Sequence, residues 1–344
     1  MLETELNRPN QSLKPPLLKK REKKRFKVLC GNSNPELFVK ICQELGVAPT
    51  KALIASFSDG ETRVEIEENI RGSHAFVLQS LSPPVNHNII ELCIMIDASR
   101  RASAEMVTAV IPYYGYSRQD RKPSPRTPVS ARLVADLIVA AGADKLIILD
   151  LHAGQIQGFF DNRHPLNHIY IRPIFLKDIK THFPDLSSFT FVSPDAGGMA
   201  RALSYAKRFN CPVAQIDKRR EKANQIEIMR IVGDVKDQNI ILVDDIADTC
   251  RTIKKGAEAL KEAGAKKIWC YITHPVLSDD AVKNVEESPI EELVVSNSIP
   301  LSKEARACSK IRVLGIEKLL TFTMLNVFRN ESVSEMLETC EEYL

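Results

Sequence analysis

The segment of this chain best suited to chemistry runs from Ile240 to Thr252. It reads Ile-Ile-Leu-Val-Asp-Asp-Ile-Ala-Asp-Thr-Cys-Arg-Thr, an apolar run that ends in paired acids and a small polar loop. Asp244 and Asp245 can accept hydrogen bonds from vicinal ribose hydroxyls, while threonine hydroxyls and loop amides suit a phosphate at a helix N-terminus. The segment therefore predicts a site for a sugar phosphate. The alternative is a buried strand followed by an acidic turn and an ordinary helix cap.

Two further segments place charged side chains directly after predicted strands. Residues 111–121 read Ile-Pro-Tyr-Tyr-Gly-Tyr-Ser-Arg-Gln-Asp-Arg, and such a loop can stack a base on a tyrosine and bind phosphates through Arg118. Residues 217–220 read Asp-Lys-Arg-Arg, and adjacent cations can neutralise a phosphate chain during its transfer. A charged surface turn is the alternative interpretation of either segment.

Three turns add acids, glycines and a histidine. Phe-Ser-Asp-Gly-Glu at 57–61 precedes an alternating run typical of a strand, and by itself it is only a loop. Ser-Pro-Asp-Ala-Gly-Gly at 193–198 has paired glycines that let a phosphate approach the backbone closely. His152 follows a predicted strand, and a lone histidine there is more often structural than a metal ligand.

Short β-rich runs that alternate with helical patterns must position these segments. One set of predicted strands lies at residues 27–30, 75–79, 108–113 and 145–151, and a second set at 190–193, 213–216, 240–244, 268–273 and 293–295. Strand–helix–strand repeats predict parallel sheets, and ligands of such sheets bind at the carboxyl ends of the strands. We therefore predict an α/β protein with two domains, each with a mainly parallel sheet flanked by helices.

A basic segment precedes the first domain. Residues 1–25 hold three prolines and then a run of lysines and arginines, a composition that predicts a disordered tail. We place the first domain at 26–167 and the second at 168–315. A helix at 316–330 is expected to pack back on the first domain.

The composition excludes several classes of protein. With 344 residues and 44% hydrophobic content, the chain can bury a full core. The net charge of +3 is near neutral for this size, so the folded part lacks the basic surface of a nucleic-acid binder. No apolar stretch approaches the ~20 residues of a membrane span, and the eight scattered cysteines form no CxxC pair. We expect a cytoplasmic protein with small anionic ligands and no membrane or nucleic-acid partner.

The order of these segments resembles that of the ribose-phosphate pyrophosphokinases, also called phosphoribosyl pyrophosphate synthetases. The likeness covers about residues 27–328 and rests on six ordered motifs, at 57–61, 117–120, 150–160, 193–198, 217–220 and 240–252. It implies two phosphoribosyltransferase-type (Rossmann-like) domains, the first for ATP and the second for ribose 5-phosphate. Such enzymes transfer the β,γ-diphosphoryl group of ATP to the 1-hydroxyl of ribose 5-phosphate, which gives phosphoribosyl diphosphate (PRPP) and AMP for nucleotide biosynthesis.

The resemblance implies a role for each matching residue. Lys218 and Arg220 match the catalytic cations, and His152 and Asp195 match positions that help to place Mg²⁺. Mg²⁺ suits this role because it spans phosphate oxygens with few protein ligands. The other matches would bind substrates: Asp59, Gly60, Glu61, Arg118 and Gln119 for ATP, and Arg220, Asp244, Asp248, Thr249, Cys250, Arg251 and Thr252 for ribose 5-phosphate.

One residue departs from the family's sugar-phosphate loop. The family has Gly, or Cys then Gly, between the last two threonines, whereas this chain has Cys250 then Arg251. If position 251 requires a positive φ, an arginine is costly there. If its backbone is helical, the guanidinium instead adds a cation near the 5-phosphate.

Two other functions stay open at the level of sequence. A catalytically silent relative that regulates a true synthetase would explain the altered loop, although it has no need for both catalytic cations. A phosphoribosyltransferase that joins PRPP to a base fits the sugar-phosphate loop equally well but leaves the first domain without a role. The resemblance also implies a homo-oligomer of dimers stacked into hexamers, often with ATP sites between subunits.

Overall fold

The computed structural model describes residues 18–219 and 228–339. Two sheets, one in each half of this part of the chain, dominate the architecture. The strands in chain order are β1 (Phe26–Cys30), β2 (Ala52–Ser56), β3 (Thr62–Ile66), β4 (His74–Leu78), β5 (Met106–Ile111), β6 (Lys145–Leu149), β7 (Leu166–Ile169), β8 (Phe189–Ser193), β9 (Val213–Arg219), β10 (Ile228–Val232), β11 (Asn239–Ala247), β12 (Ile268–Pro275), β13 (Glu292–Ser296) and β14 (Ile311–Leu314).

Helices alternate with the strands, which confirms the predicted α/β class. They are α1 (Lys20–Arg25), α2 (Pro35–Leu45), α3 (Val85–Arg101), α4 (Ser130–Ala140), a 3₁₀ helix (Gly154–Phe159), α5 (Arg172–His182), α6 (Met199–Phe209), α7 (Arg251–Glu262), α8 (Ala281–Glu287), α9 (Lys303–Ala307), α10 (Glu317–Arg329) and α11 (Val333–Thr339). Local sequence sets their limits: α2 begins where Asn34 accepts the Leu37 amide and ends at Gly46, which has φ 62°. Within residues 18–219 and 228–339, no helix is both long and apolar enough to cross a bilayer.

The first sheet has the strand order β1-β4-β5-β6-β7, with every neighbouring pair parallel. β2 and β3 form a separate antiparallel hairpin. β7 was not predicted, because Leu-Asn-His-Ile is short and half polar. The predicted domain limit between residues 167 and 168 falls inside β7, so the first sheet extends two residues beyond that limit.

The second sheet has the order β10-β9-β8-β11-β12-β13-β14, and it is parallel except for the β9–β10 pair. β11 lies near its centre between β8 and β12 and continues to Ala247, three residues beyond the predicted end. Its first residues are buried on both faces, as expected for a central parallel strand. This position places the paired acids at the carboxyl edge of the sheet.

The end of the predicted disordered tail differs from the prediction, while residues 1–17 of that tail lie outside the described residues. Residues 20–25, predicted as part of a disordered tail, form α1, and Leu18 before it is buried. Glu22 accepts two hydrogen bonds from Arg329 at the end of α10, at 3.0 and 3.2 Å, and Lys23 Nζ donates to the Gly46 carbonyl. The prediction failed here because a run of basic residues does not reveal the acids and carbonyls that pair with it in the fold.

One hydrophobic core joins the two halves. Phe76 of β4, Phe191 of β8 and Leu320 of α10 are fully buried in the same cluster, and α10 packs against α2. Polar contacts reinforce this junction, since Ser80 Oγ donates to the Ser298 carbonyl at 2.6 Å. The sheets are thereby held in a fixed arrangement that sets the width of the space between their carboxyl edges.

Candidate active site

A cavity of about 820 Å³ lies between the loops that follow the two sheets. The first sheet contributes the loops after β5, β6 and β7, and the second contributes the loops after β8 and β11. These loops leave the carboxyl ends of parallel strands, where α/β sheets bind ligands. Of the predicted site residues, Arg118, His152, Asp195, Asp244 and Asp248 line this cavity.

The predicted sugar-phosphate loop runs from β11 into α7. Cys250 has φ 56°, the left-handed conformation, and its side chain is buried. Arg251 is the first residue of α7, and its side chain is exposed. The conformation that favours glycine therefore lies at position 250, so Arg251 meets no such backbone restriction. Thr249, Cys250, Arg251 and Thr252 lie at the start of α7, beyond the residues that line the cavity.

His152 and Asp245 connect the two halves across the cavity floor. His152 Nδ1 lies 2.7 Å from Asp245 Oδ2. This hydrogen bond raises the pKa of the imidazole, against the lowering effect of burial. Arg201, in the first turn of α6, lies 3.9 Å from the other oxygen of Asp245 and 3.6 Å from Asp150.

The paired acids at the end of β11 have opposite protonation tendencies. Burial and the negative charge of Asp245 raise the pKa of Asp244 well above its ordinary value. Burial acts on Asp245 in the same direction, but the His152 hydrogen bond and the Arg201 charge outweigh it and lower its pKa. Asp245 is therefore the ionised member and Asp244 the one that takes up a proton first.

Asp150, directly after β6, is one of the residues that line the cavity. Its backbone has φ 39°, which is rare for a residue with a side chain and is typical of functional sites. Thr273 Oγ1 donates to Asp150 Oδ2 at 2.6 Å, and His274 Nε2 lies 3.0 Å from the Asp150 carbonyl. Both partners belong to β12 of the second sheet, so this strained turn is fixed from the opposite half of the molecule.

An ion pair crosses the cavity mouth. Arg118 Nη1, from the loop after β5, donates to Asp248 Oδ2 at 2.5 Å. Ser278 Oγ donates to the other oxygen of Asp248. Burial raises the pKa of Asp248, but the hydrogen bonds from Ser278 and Arg118 more than offset this and lower it overall.

The predicted ATP residues are not all brought together. Asp59, Gly60 and Glu61 lie exposed at the tip of the β2–β3 hairpin and do not line the cavity. Asp59 Oδ1 accepts the Glu61 amide at 3.0 Å, and Gly60 has φ 94°, so the tip is an ordered turn. Gln119 is also exposed, and its side chain accepts from Ser130 Oγ at 2.6 Å.

Of the two predicted catalytic cations, Lys218 lies within the described residues. Lys218 belongs to β9, where its backbone pairs with that of Met229 in β10. Arg220 lies outside the described residues.

The cavity has an excess of acid. Six carboxylates line it against four guanidinium groups, an imbalance that a divalent cation would offset. Across residues 18–219 and 228–339, no group of three or more His, Cys, Asp and Glu side chains is arranged to hold a metal. A metal bound here would therefore take most of its ligands from a phosphate chain and water, as Mg²⁺ does.

The prediction missed several residues that line the cavity. Asp120 lies in the loop after the predicted strand 108–113, and Asp150 lies at the end of the predicted strand 145–151, so their positions were a usable signal. Arg172 and Arg201 lie in helices, and Tyr170 directly follows β7, a strand that was not predicted, so only the fold brings the three residues to the site. A second cavity, of about 960 Å³ between α1 and the end of α10, contains none of the predicted site residues.

Comparisons with known proteins agree with this organisation. Residues 26–142 match the model of the N-terminal domain of ribose phosphate pyrophosphokinase. Residues 219–338 match the phosphoribosyl synthetase-associated domain.

Relatives that align over most of this chain belong to the same family. The chain is 49% identical to a ribose-phosphate pyrophosphokinase of Burkholderia pseudomallei, over 90% of this chain and 96% of that protein. It is 48% identical to a ribose-phosphate pyrophosphokinase of Bradyrhizobium diazoefficiens, over 91% of this chain and 98% of that protein. The crystal structure of the phosphoribosylpyrophosphate synthetase of Mycobacterium smegmatis superposes with a TM-score of 0.84 at 40% identity, covering 89% of this chain and 99% of that one. The chain thus belongs to the ribose-phosphate pyrophosphokinase family.

Proposed function

We propose that this protein transfers the β,γ-diphosphoryl group of ATP to the 1-hydroxyl of ribose 5-phosphate, giving PRPP and AMP. The observation that carries the proposal is the meeting of two motifs in one cavity. Arg118, from the segment matched to ATP binding, lies 2.5 Å from Asp248, from the segment matched to the sugar phosphate. Two substrates held by these segments would be adjacent, as direct transfer between them requires.

The sugar phosphate is assigned to the end of β11 and the start of α7. The Asp244 carboxyl lines the cavity and is suited to the ribose hydroxyls. The amides of residues 249–252 precede or begin α7, where a helix N-terminus favours the 5-phosphate. Arg251, exposed in the first helical turn, adds a positive charge on the same side.

Magnesium is assigned to His152 and Asp195. Because Asp245 occupies Nδ1 of His152, Nε2 is the ring nitrogen left for a ligand. Asp195 Oδ1 accepts the Gly198 amide at 3.0 Å, which orients the carboxylate at the start of α6. When bound, the metal would neutralise phosphate charge and align the diphosphoryl group. The raised pKa of His152 means that protons compete with such a ligand role.

The exposed hairpin completes the ATP site in this proposal. Asp59, Gly60 and Glu61 project from the first domain and stay clear of the cavity of their own chain. Phe57 beside them is 50% exposed, which leaves its ring free to pack against a partner subunit. We therefore assign the hairpin to an ATP site between subunits of a homo-oligomer.

Lys218 and Arg220 are assigned to charge stabilisation. Negative charge develops on the oxygens of the diphosphoryl group during transfer, and preorganised cations lower the barrier more than covalent chemistry by the protein would. Lys218 belongs to β9, which lies two strands from β11 in the same sheet.

The relatives' names favour an enzyme over a silent regulatory subunit. The direct test incubates purified protein with ATP, Mg²⁺, inorganic phosphate and ribose 5-phosphate and follows AMP and PRPP together. Equal amounts of both products support the proposal. Folded, oligomeric protein that releases neither product would contradict it. Formation of a nucleotide and diphosphate from added PRPP and a free base would indicate a phosphoribosyltransferase.

A further inference from the structure

The ion pair between Arg118 and Asp248 joins residues that the proposed function gives to different substrates. Arg118 belongs to the first domain and Asp248 to the second, and they are 130 residues apart in sequence. In this contact each side chain neutralises the other. A phosphate that binds Arg118 must therefore compete with Asp248, and a sugar that binds Asp248 must compete with Arg118.

We propose that this ion pair acts as a latch that couples the two substrate subsites, an inference that rests on the proposed function. The first ligand to bind breaks the Arg118–Asp248 contact, and the free energy needed to break it weakens the binding of that ligand. The second ligand finds its side chain already released. Each ligand therefore increases the affinity for the other by the same factor, because coupling of binding free energies is reciprocal.

The surroundings of the pair make it a defined two-state contact. Ser278 holds the second oxygen of Asp248, so the carboxylate has a partner when Arg118 leaves. Arg118 is half-exposed, which leaves it room to turn into the cavity that it lines. For a pair this exposed, the coupling should be about two- to tenfold in affinity.

The test uses calorimetric titration with α,β-methylene-ATP and Mg²⁺, an analogue whose diphosphoryl group cannot be transferred. In the unaltered protein, saturating ribose 5-phosphate should lower the Kd of the analogue about two- to tenfold. In Asp248→Asn, which keeps an acceptor for Ser278, the analogue alone should bind tighter than in the unaltered protein by a similar factor. A gain in affinity is decisive, because general damage to the site would weaken binding.

A matched variant separates the latch from simple charge removal. Asp120→Asn removes one negative charge from the same cavity, and Asp120 pairs with Gln155 and not with Arg118. The analogue should gain less affinity in Asp120→Asn, and its enhancement by ribose 5-phosphate should persist there. Equal gains in the two variants, or no gain in Asp248→Asn, would overturn the latch. Failure of the proposed function looks different: the unaltered protein would then neither bind the analogue nor release AMP.

Discussion

His152 and Asp245 meet across the junction of the two domains, with 2.7 Å between the imidazole Nδ1 and the carboxylate Oδ2. The histidine follows β6 of the first sheet, and the aspartate lies in β11 of the second. Asp245 is buried and 93 residues away in sequence, so only the folded arrangement of the domains makes this contact. It fixes the ring and determines which nitrogen is left for a ligand.

Asp245→Asn should lower the pKa of His152, because the variant loses the charged acceptor that raises it while burial remains. The charged pair stabilises the fold below the ordinary histidine pKa of about 6.5, and this contribution is lost as the pH rises through the raised pKa of His152. NMR titration of the imidazole measures the shift. Asp161→Asn, which removes the carboxylate beside His164, is the control. An unchanged His152 titration would contradict the assigned cause.

Lys218→Ala should reduce kcat by two orders of magnitude or more, because the proposed function assigns this cation to stabilising charge in the transition state. Rapid-quench measurement of AMP release in a single turnover checks the chemical step, and circular dichroism checks the fold. Lys207→Ala, at an exposed position in α6, is the matched control and should leave kcat unchanged. Near-normal turnover in Lys218→Ala would remove this residue from the mechanism.

Several features of the fold followed directly from periodicity. A helix N-terminus was expected at the end of segment 240–252, and α7 is observed at Arg251–Glu262, because a turn followed by regularly spaced apolar residues is a strong local signal. β10 and β14 were missed as short or edge strands, whose pairing depends on neighbours far away in sequence. The residues of the candidate site also fall into those visible in the sequence and those that only the fold brings together. Motif residues such as Asp244 were visible in the sequence, whereas the contacts of Arg201 require the packed helix α6.

Asp244→Asn should weaken ribose 5-phosphate binding in a pH-dependent manner. The pKa of Asp244 is raised by burial and by the charge of Asp245, so at low pH the native carboxyl is neutral and Asn resembles it. As the pH rises and Asp244 ionises, the native side chain becomes a charged acceptor that Asn cannot replace, and the ratio of KM values should grow to about tenfold or more. Initial rates of both proteins, measured from low pH to a pH at which Asp244 is ionised, give the ratio of KM values and test this prediction. A constant ratio would place the sugar hydroxyls elsewhere.

Arg251→Gly should not improve the enzyme. Arg251 is helical, so glycine there relieves no backbone restriction and costs about 0.5–1 kcal/mol of stability instead. The free energy of unfolding in urea and the KM for ribose 5-phosphate are the measurements. Cys250→Gly is the informative comparison, because φ 56° at Cys250 suits glycine although the buried thiol is lost. Higher stability in Arg251→Gly than in the unaltered protein would show that position 251 is the restricted one.

The core shared by Phe76, Phe191 and Leu320 has a thermodynamic consequence. Exposing either sheet alone would leave half of this apolar cluster in water, so neither half has a stable existence while the other is unfolded. Heating should therefore melt the protein as one calorimetric unit, with a van't Hoff enthalpy equal to the calorimetric enthalpy. The two sheets that look like separate modules in sequence then behave as a single cooperative body.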